Sequence, residues 1–98
     1  MSDEERQLLE TRVELALAIR RQREALHLSQ KQLGALLKTS QPRVARIERA
    51  ASDVSMDQLV RAFTAAGGKI VVKTMKPKAR KKTSSERETL IFEVGTSD

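Results

Sequence analysis

The sequence predicts a mainly α fold with a short β-strand or hairpin extension at its C-terminal end. Three observations lead there. Up to Gly68, apolar residues recur at helical spacing. Ser29, Ser40 and Ser55 each stand where a helix should start, and Ser29 and Ser55 are followed three residues on by Gln32 and Gln58, the pattern of a capping box. Past Gly67-Gly68 the helical period gives way to a β-branched run.

The first helix is expected over residues 5–26. Leu8, Leu15, Ile19 and Leu26 fall on one stripe, widened by Val13, Ala16, Leu17 and Ala18, with Arg6, Arg12, Arg20, Arg21 and Arg23 on the polar faces. The run stops at His27-Leu28-Ser29. A second helix over about 30–37 should bury Leu33, Leu36 and Leu37, while Gly34 and Ala35 allow close helix approach. Residues 38–40 break the pattern. The third helix starts at the Ser40 cap, carries Pro42 in its first turn, where a missing N–H is harmless, and runs to about Arg49 with Val44 and Ile47 facing inward. Residues 50–54 read as a loop. The next helix begins at Ser55, has Met56, Leu59, Val60 and Phe63 as its apolar face, and ends at Gly67-Gly68, one glycine suiting a left-handed terminus. Strands are expected at 69–75 and 89–94, separated by a Lys/Arg/Ser-rich stretch at 76–88 expected to lack fixed structure, with residues 95–98 as a tail. The chain thus divides into a helical domain, 1–68, and a β extension, 69–98.

Composition narrows the function. The 98 residues carry a net charge of +6, the footprint of a protein that binds a polyanion. With no cysteine there is no disulfide, thiolate zinc site or cysteine nucleophile. The one histidine, His27, lies between two helical patterns with no Asp at fixed spacing or Gly-rich elbow beside it, so no catalytic residue is expected, and neither a metal nor a cofactor. No apolar run approaches the roughly 18–20 residues of a membrane span, and MSDEERQLLE resembles no targeting segment. A cytoplasmic, nucleoid-associated protein is expected.

Two short helices joined by a three-residue break form a helix-turn-helix arrangement. The second helix of such a pair fits the DNA major groove, where amide side chains pair with adenine and arginine pairs with guanine. Gln41, Arg43 and Arg46 occupy the outward positions. Gln30 and Ser40 stand at helix starts, where side chains and free N–H groups meet phosphates. Taken alone, polar residues opposite Val44 and Ile47 are what any amphipathic surface helix shows. The joint pattern Ser29-Gln30-x-x-Leu33-Gly34-x-x-Leu37-x-x-Ser40-Gln41-x-x-Val44-x-x-Ile47-Glu48 is what favours recognition.

That pattern, within LSQKQLGALLKTSQPRVARIERA at 28–50, resembles the Xre/Cro-repressor helix-turn-helix family, and the broader resemblance covers about residues 15–66. It implies a five-helix domain. It also implies that Gln30 touches the DNA backbone and braces Gln41, that Arg43 and Arg46 reach bases, and that Glu48 pairs with Arg23. The full DNA-facing set is then Gln30, Lys38, Thr39, Ser40, Gln41, Arg43, Arg46 and Arg49. Two positions depart from the family: Lys38 stands where the turn commonly has glycine, and Arg49-Ala50 replaces the usual Asn-Gly. A lysine at that point must accept a left-handed backbone at some cost or adopt another turn.

The C-terminal segments LVRAFTAAGGKIVVKTM and ETLIFEV look like antitoxins of the HigA type, with some likeness to the HipB type. That resemblance implies a protein that binds a toxin and represses its own operon. Free-standing repressors also carry β extensions. From another class, a toxin-neutralising interaction module would not bind DNA at all. An RNA module would need aromatics for base stacking, and Phe63 and Phe92 both read as core. The basic residues Lys73, Lys76, Lys78, Arg80, Lys81 and Lys82 suit either phosphate contact or a solvated loop. Because a lone two-stranded hairpin is marginal in water, a homodimer is expected, joined through Ile70, Val71, Val72, Leu90, Ile91 and Phe92 and bound to a palindromic operator.

Overall fold

The computed structural model describes residues 1–75 and 89–96, with side chains through Val72. The basic stretch 76–88 and the last two residues lie outside the described residues, as do the side chains of Lys73, Leu90, Ile91 and Phe92.

Helix α1 (Asp3–Ala25) begins two residues earlier than its apolar pattern suggests. Ser2 supplies the reason: its hydroxyl accepts the Glu5 N–H at 3.1 Å, and Asp3, Glu4 and Glu5 place negative charge on the positive end of the helix dipole. Burial starts only at Leu15 and runs through Ala16, Ala18, Ile19 and Gln22. Leu8 and Leu26, expected on the same stripe, are exposed, Leu8 because it precedes the packed part of the helix and Leu26 because it is the C-cap.

Helix α2 (Gln30–Leu37) is closed by a full capping box, with Gln32 N–H to Ser29 Oγ at 3.0 Å and Ser29 N–H to Gln32 Oε1 at 2.7 Å. Leu33 is buried and Leu37 packs on the core. Leu36, expected inside, is 58% exposed. The buried arc runs through Leu33, Leu37 and Gly34, and at about 100° per residue Leu36 points well away from its centre. Helix α3 (Gln41–Glu48) follows the Ser40 cap and buries Val44, Ile47 and Glu48. Helix α4 (Met56–Ala65) starts from the second capping box, at Ser55 and Gln58. It buries Leu59, Ala62 and Phe63 and leaves Val60 exposed. Val54, in the loop before it, is a core residue that the periodicity did not single out.

The described residues contain four helices rather than the five that the resemblance implied. Gly67, with φ 89°, turns the chain directly from α4 into strand β1 (Gly68–Met75). The β-branched run Ile70-Val71-Val72 takes the place where a further helix would follow. Gly68 is required there for another reason: a Cβ at this position would stand 2.2 Å from the Phe63 ring.

Strand β2 (Thr89–Thr96) reaches two residues beyond the expected end and pairs antiparallel with β1 within the chain. Ile70 stands opposite Val94 and Val72 opposite Phe92. Ile70 also packs against the helical core, formed by Leu15, Ile19, Leu33, Val44, Ile47, Leu59 and Phe63 with small residues between them. So one residue of the expected dimer surface is already partly used by the protein's own core, while Val71 is half-buried and Val72 exposed.

Candidate nucleic-acid interface

The α2–α3 unit is held at three points. At the turn, Lys38 adopts the left-handed conformation (φ 58°, ψ 44°), so lysine accepts the geometry usually given to glycine. That conformation costs a residue with a side chain roughly 1–2 kcal/mol. Ala50, after α3, does the same with φ 52°. Gly34 brings α2 against the turn: a Cβ there would meet the Thr39 carbonyl oxygen at 2.9 Å, and the Thr39 N–H donates to the Gly34 carbonyl at 2.8 Å.

The second point is an ion pair. Arg23 of α1 donates through Nε to Glu48 Oε2 at 2.6 Å and through Nη2 to Oε1 at 3.0 Å, and through Nη1 to the Leu28 carbonyl at 2.8 Å. The side chains are 12% and 4% exposed. The hydrogen bond to Glu48 is the main cause raising the Arg23 pKa, so the guanidinium is charged throughout the working range. The pair continues outward. Gln30 donates to Glu48 Oε1 at 3.2 Å, and Gln41 donates to Gln30 Oε1 at 2.6 Å. A single relay therefore leads from the first helix to the first residue of α3 and fixes the Gln41 amide at the surface.

The third point is the loop between α3 and α4. Arg12 of α1 donates to the Ala51 carbonyl at 2.8 Å, the Val54 N–H donates to the same carbonyl at 2.9 Å, and Val54 is buried. Asp53, next to Val54, projects toward α3. Its carboxylate accepts Arg46 Nη2 at 2.5 Å and Nε at 3.3 Å, and Arg43 Nη1 at 2.8 Å. Arg43 Nη2 also reaches Gln58 Oε1 at 2.7 Å and the Asp53 carbonyl at 3.3 Å. Hydrogen bonds from Arg46 first and Arg43 second lower the Asp53 pKa to about 2.

The expected residues are thus gathered around one helix, in unequal settings. Lys38, Ser40, Gln41, Arg46 and Arg49 are exposed, whereas Gln30, Thr39 and Arg43 are half-buried. Arg43 lies at one edge of the outward face, turned to Asp53 and Gln58; the centre of that face is Pro42, Arg46 and Arg49, and half-buried Ala45 lies toward the other edge. Pro42 and Ala45 follow from the 100° helical period once Val44 and Ile47 are taken as inward, though neither polarity nor charge singles them out. Arg20 of α1 was also missed; it lines a shallow recess with Gln30, Ala45 and Arg49. Asp53 carried no motif at all. Chemically, the face offers one oriented amide and a concentration of guanidinium donors, a set suited to phosphates and base edges.

Among the described residues no helix is long and apolar enough to cross a membrane, and no three His, Cys, Asp or Glu side chains converge as metal ligands. A family model described as a helix-turn-helix domain matches residues 1–74. No curated protein and no solved structure matches the chain.

Proposed function

The chain belongs to this helix-turn-helix family, and on that premise we propose that it is a repressor that binds double-stranded DNA by sequence. The relay from Arg23 through Glu48 and Gln30 to Gln41 carries the reading. It sets the pitch of α3 against the body of the protein and presents an amide at the end of the helix that enters the major groove. Gln41 and Arg46 then read base edges, Ala45 offers a methyl to thymine, and Gln30, Ser40, Arg20 and Arg49 face phosphates. Lys38 and Thr39, in the turn, lie beside the same backbone. Arg46→Ala should weaken binding to a selected duplex by about 1–3 kcal/mol, the worth of one good base contact, while the fold survives, losing only the exposed pair with Asp53. Equal affinity for the two proteins would remove Arg46 from the interface.

In the finer reading the protein is a homodimer, as half-sites one helical turn apart on a palindrome require, and it acts at the nucleoid in the cytoplasm. The two-stranded sheet supports this, because each strand keeps an outer edge not paired by another strand among the described residues. Residues 70–72 and 90–92 are the proposed contact, with Ile70 shared with the core.

One observation favours an antitoxin over a free-standing repressor. An apolar groove of about 480 Å³ runs between α1, α4 and β1, floored by Leu15, Met56, Val60 and Ile70 and edged by Glu10 and Glu14. No residue of α2 or α3 lines it, so a toxin with an apolar and basic segment would dock there while DNA is bound. Co-expression with the product of the adjacent gene tests this reading: a complex lost on Val60→Asp supports it, and a complex that survives that change counts against it.

A further inference from the structure

Asp53 places a negative charge inside a surface otherwise built for polyanions. Its loop is pinned by Arg12 on the Ala51 carbonyl and by buried Val54, so the carboxylate is held in place rather than free to swing away. It neutralises half the charge of the two arginines it holds. Of the five donors of Arg46, two are taken by Asp53, on the Nε–Nη2 edge. The remaining donors, on Nη1 and Nη2, stay available and are held in a fixed orientation. Arg43 is bound more fully, to the carboxylate, to the Asp53 carbonyl and to Gln58.

We propose that Asp53 is a selectivity-determining, positioning residue of the DNA interface, which suppresses attraction to phosphates while aiming Arg46 at neutral acceptors on base edges. This rests on the DNA-binding reading above. An arginine already paired to a carboxylate gains little from a phosphate, because Asp53 repels the same anion. Guanine O6 and N7 are uncharged acceptors, so they bond to the free donors of Arg46 without meeting that repulsion. Arg43 serves as the second anchor that keeps the carboxylate beside α3. Free arginines would instead hold the chain on any sequence, since phosphate contacts carry no sequence information.

The test uses the full chain as wild type, Asp53→Asn and Asp53→Glu. Each is titrated over a range of salt concentrations against two probes: a mixed-sequence duplex, and the duplex that the wild type enriches from a random pool. Removing one repelling charge and freeing an arginine adds about one phosphate contact. Binding of Asp53→Asn to the mixed duplex should therefore tighten about eightfold at 0.1 M salt, with the salt slope steeper by about 0.9. Its preference for the enriched duplex should fall correspondingly. Asp53→Glu keeps the charge and should keep the wild-type salt slope, which a purely structural role for Asp53 would not require. If the wild type enriches a sequence but Asp53→Asn shows the same slope and preference, the proposal is overturned and the DNA-binding reading stands. If the wild type binds neither probe, both fall.

Discussion

Glu48→Ala should be among the most damaging single changes in the protein, although Glu48 belongs to the helix proposed to meet DNA. Truncation leaves the Arg23 guanidinium nearly buried with only the Leu28 carbonyl as partner, and it removes the acceptor that holds the Gln30 amide. Breaking a buried pair in this way costs about 3–5 kcal/mol. A domain of this size unfolds with a net stability of only about 5–15 kcal/mol. At roughly 4–8 °C per kcal/mol, the melting temperature should fall by about 12 °C or more. Glu4→Ala, at an exposed site in the first turn of α1, should change stability by no more than about 0.5 kcal/mol. Replacing both partners with apolar residues, Arg23→Met with Glu48→Leu, should recover much of the loss, because no charge is then left buried alone. Thermal unfolding followed by circular dichroism reads all three. Equal shifts for Glu48→Ala and Glu4→Ala would mean instead that the Arg23–Glu48 pair is solvated.

Lys38→Gly should stabilise the protein by roughly 0.5–1 kcal/mol, the relief of a left-handed lysine less the extra backbone entropy of glycine; denaturant titration at equal m-value measures it. Gly68→Ala should destabilise by about 1–3 kcal/mol, as expected for overpacking, because its methyl would overlap the Phe63 ring; a variant as stable as the wild type would contradict the close approach. Leu33→Ala should cost about 2–5 kcal/mol, whereas Leu36→Ala, at an exposed site, should stay within about 0.5 kcal/mol. The Asp53 carboxyl has a lower pKa folded (about 2) than its ordinary 3.8, so its contribution to stability is present at neutral pH and is lost as pH falls from near 4 through about 2. The stability difference between wild type and Asp53→Asn should therefore be flat from pH 5 to 8 and shrink only in that acid window.

Local signals made most of the helical scaffold legible in the sequence. The Ser29, Ser40 and Ser55 caps all form as their spacing implies, and two of them close full capping boxes. These are interactions between residues three apart, so sequence order determines them. Leu36 and Val60 went the other way, since which edge of an apolar arc faces the core depends on neighbouring helices, and Leu8 did so because it lies ahead of the packed part of α1. The five-helix expectation failed at Gly67-Gly68, where strand propensity immediately follows a helix stop. In the interface, the family pattern marked Gln30, Gln41, Glu48 and Arg23, and the geometry joins them in one relay. Asp53, and the second role of the capping residue Gln58 as a partner of Arg43, escaped notice because these bonds cross a loop whose path is set by buried Val54 and by Arg12, far earlier in the chain.

Helix α3 is proposed to read a DNA sequence from a position fixed by the helical body. The most direct measurement is selection of bound duplexes from a random pool by the purified full chain, followed by sequencing. One enriched motif with two inverted half-sites about 10 base pairs apart, centre to centre, should emerge, and it should change at defined base positions when Gln41 or Arg46 is replaced by alanine. A pool recovered without enrichment, or a motif indifferent to both substitutions, would contradict sequence reading by α3.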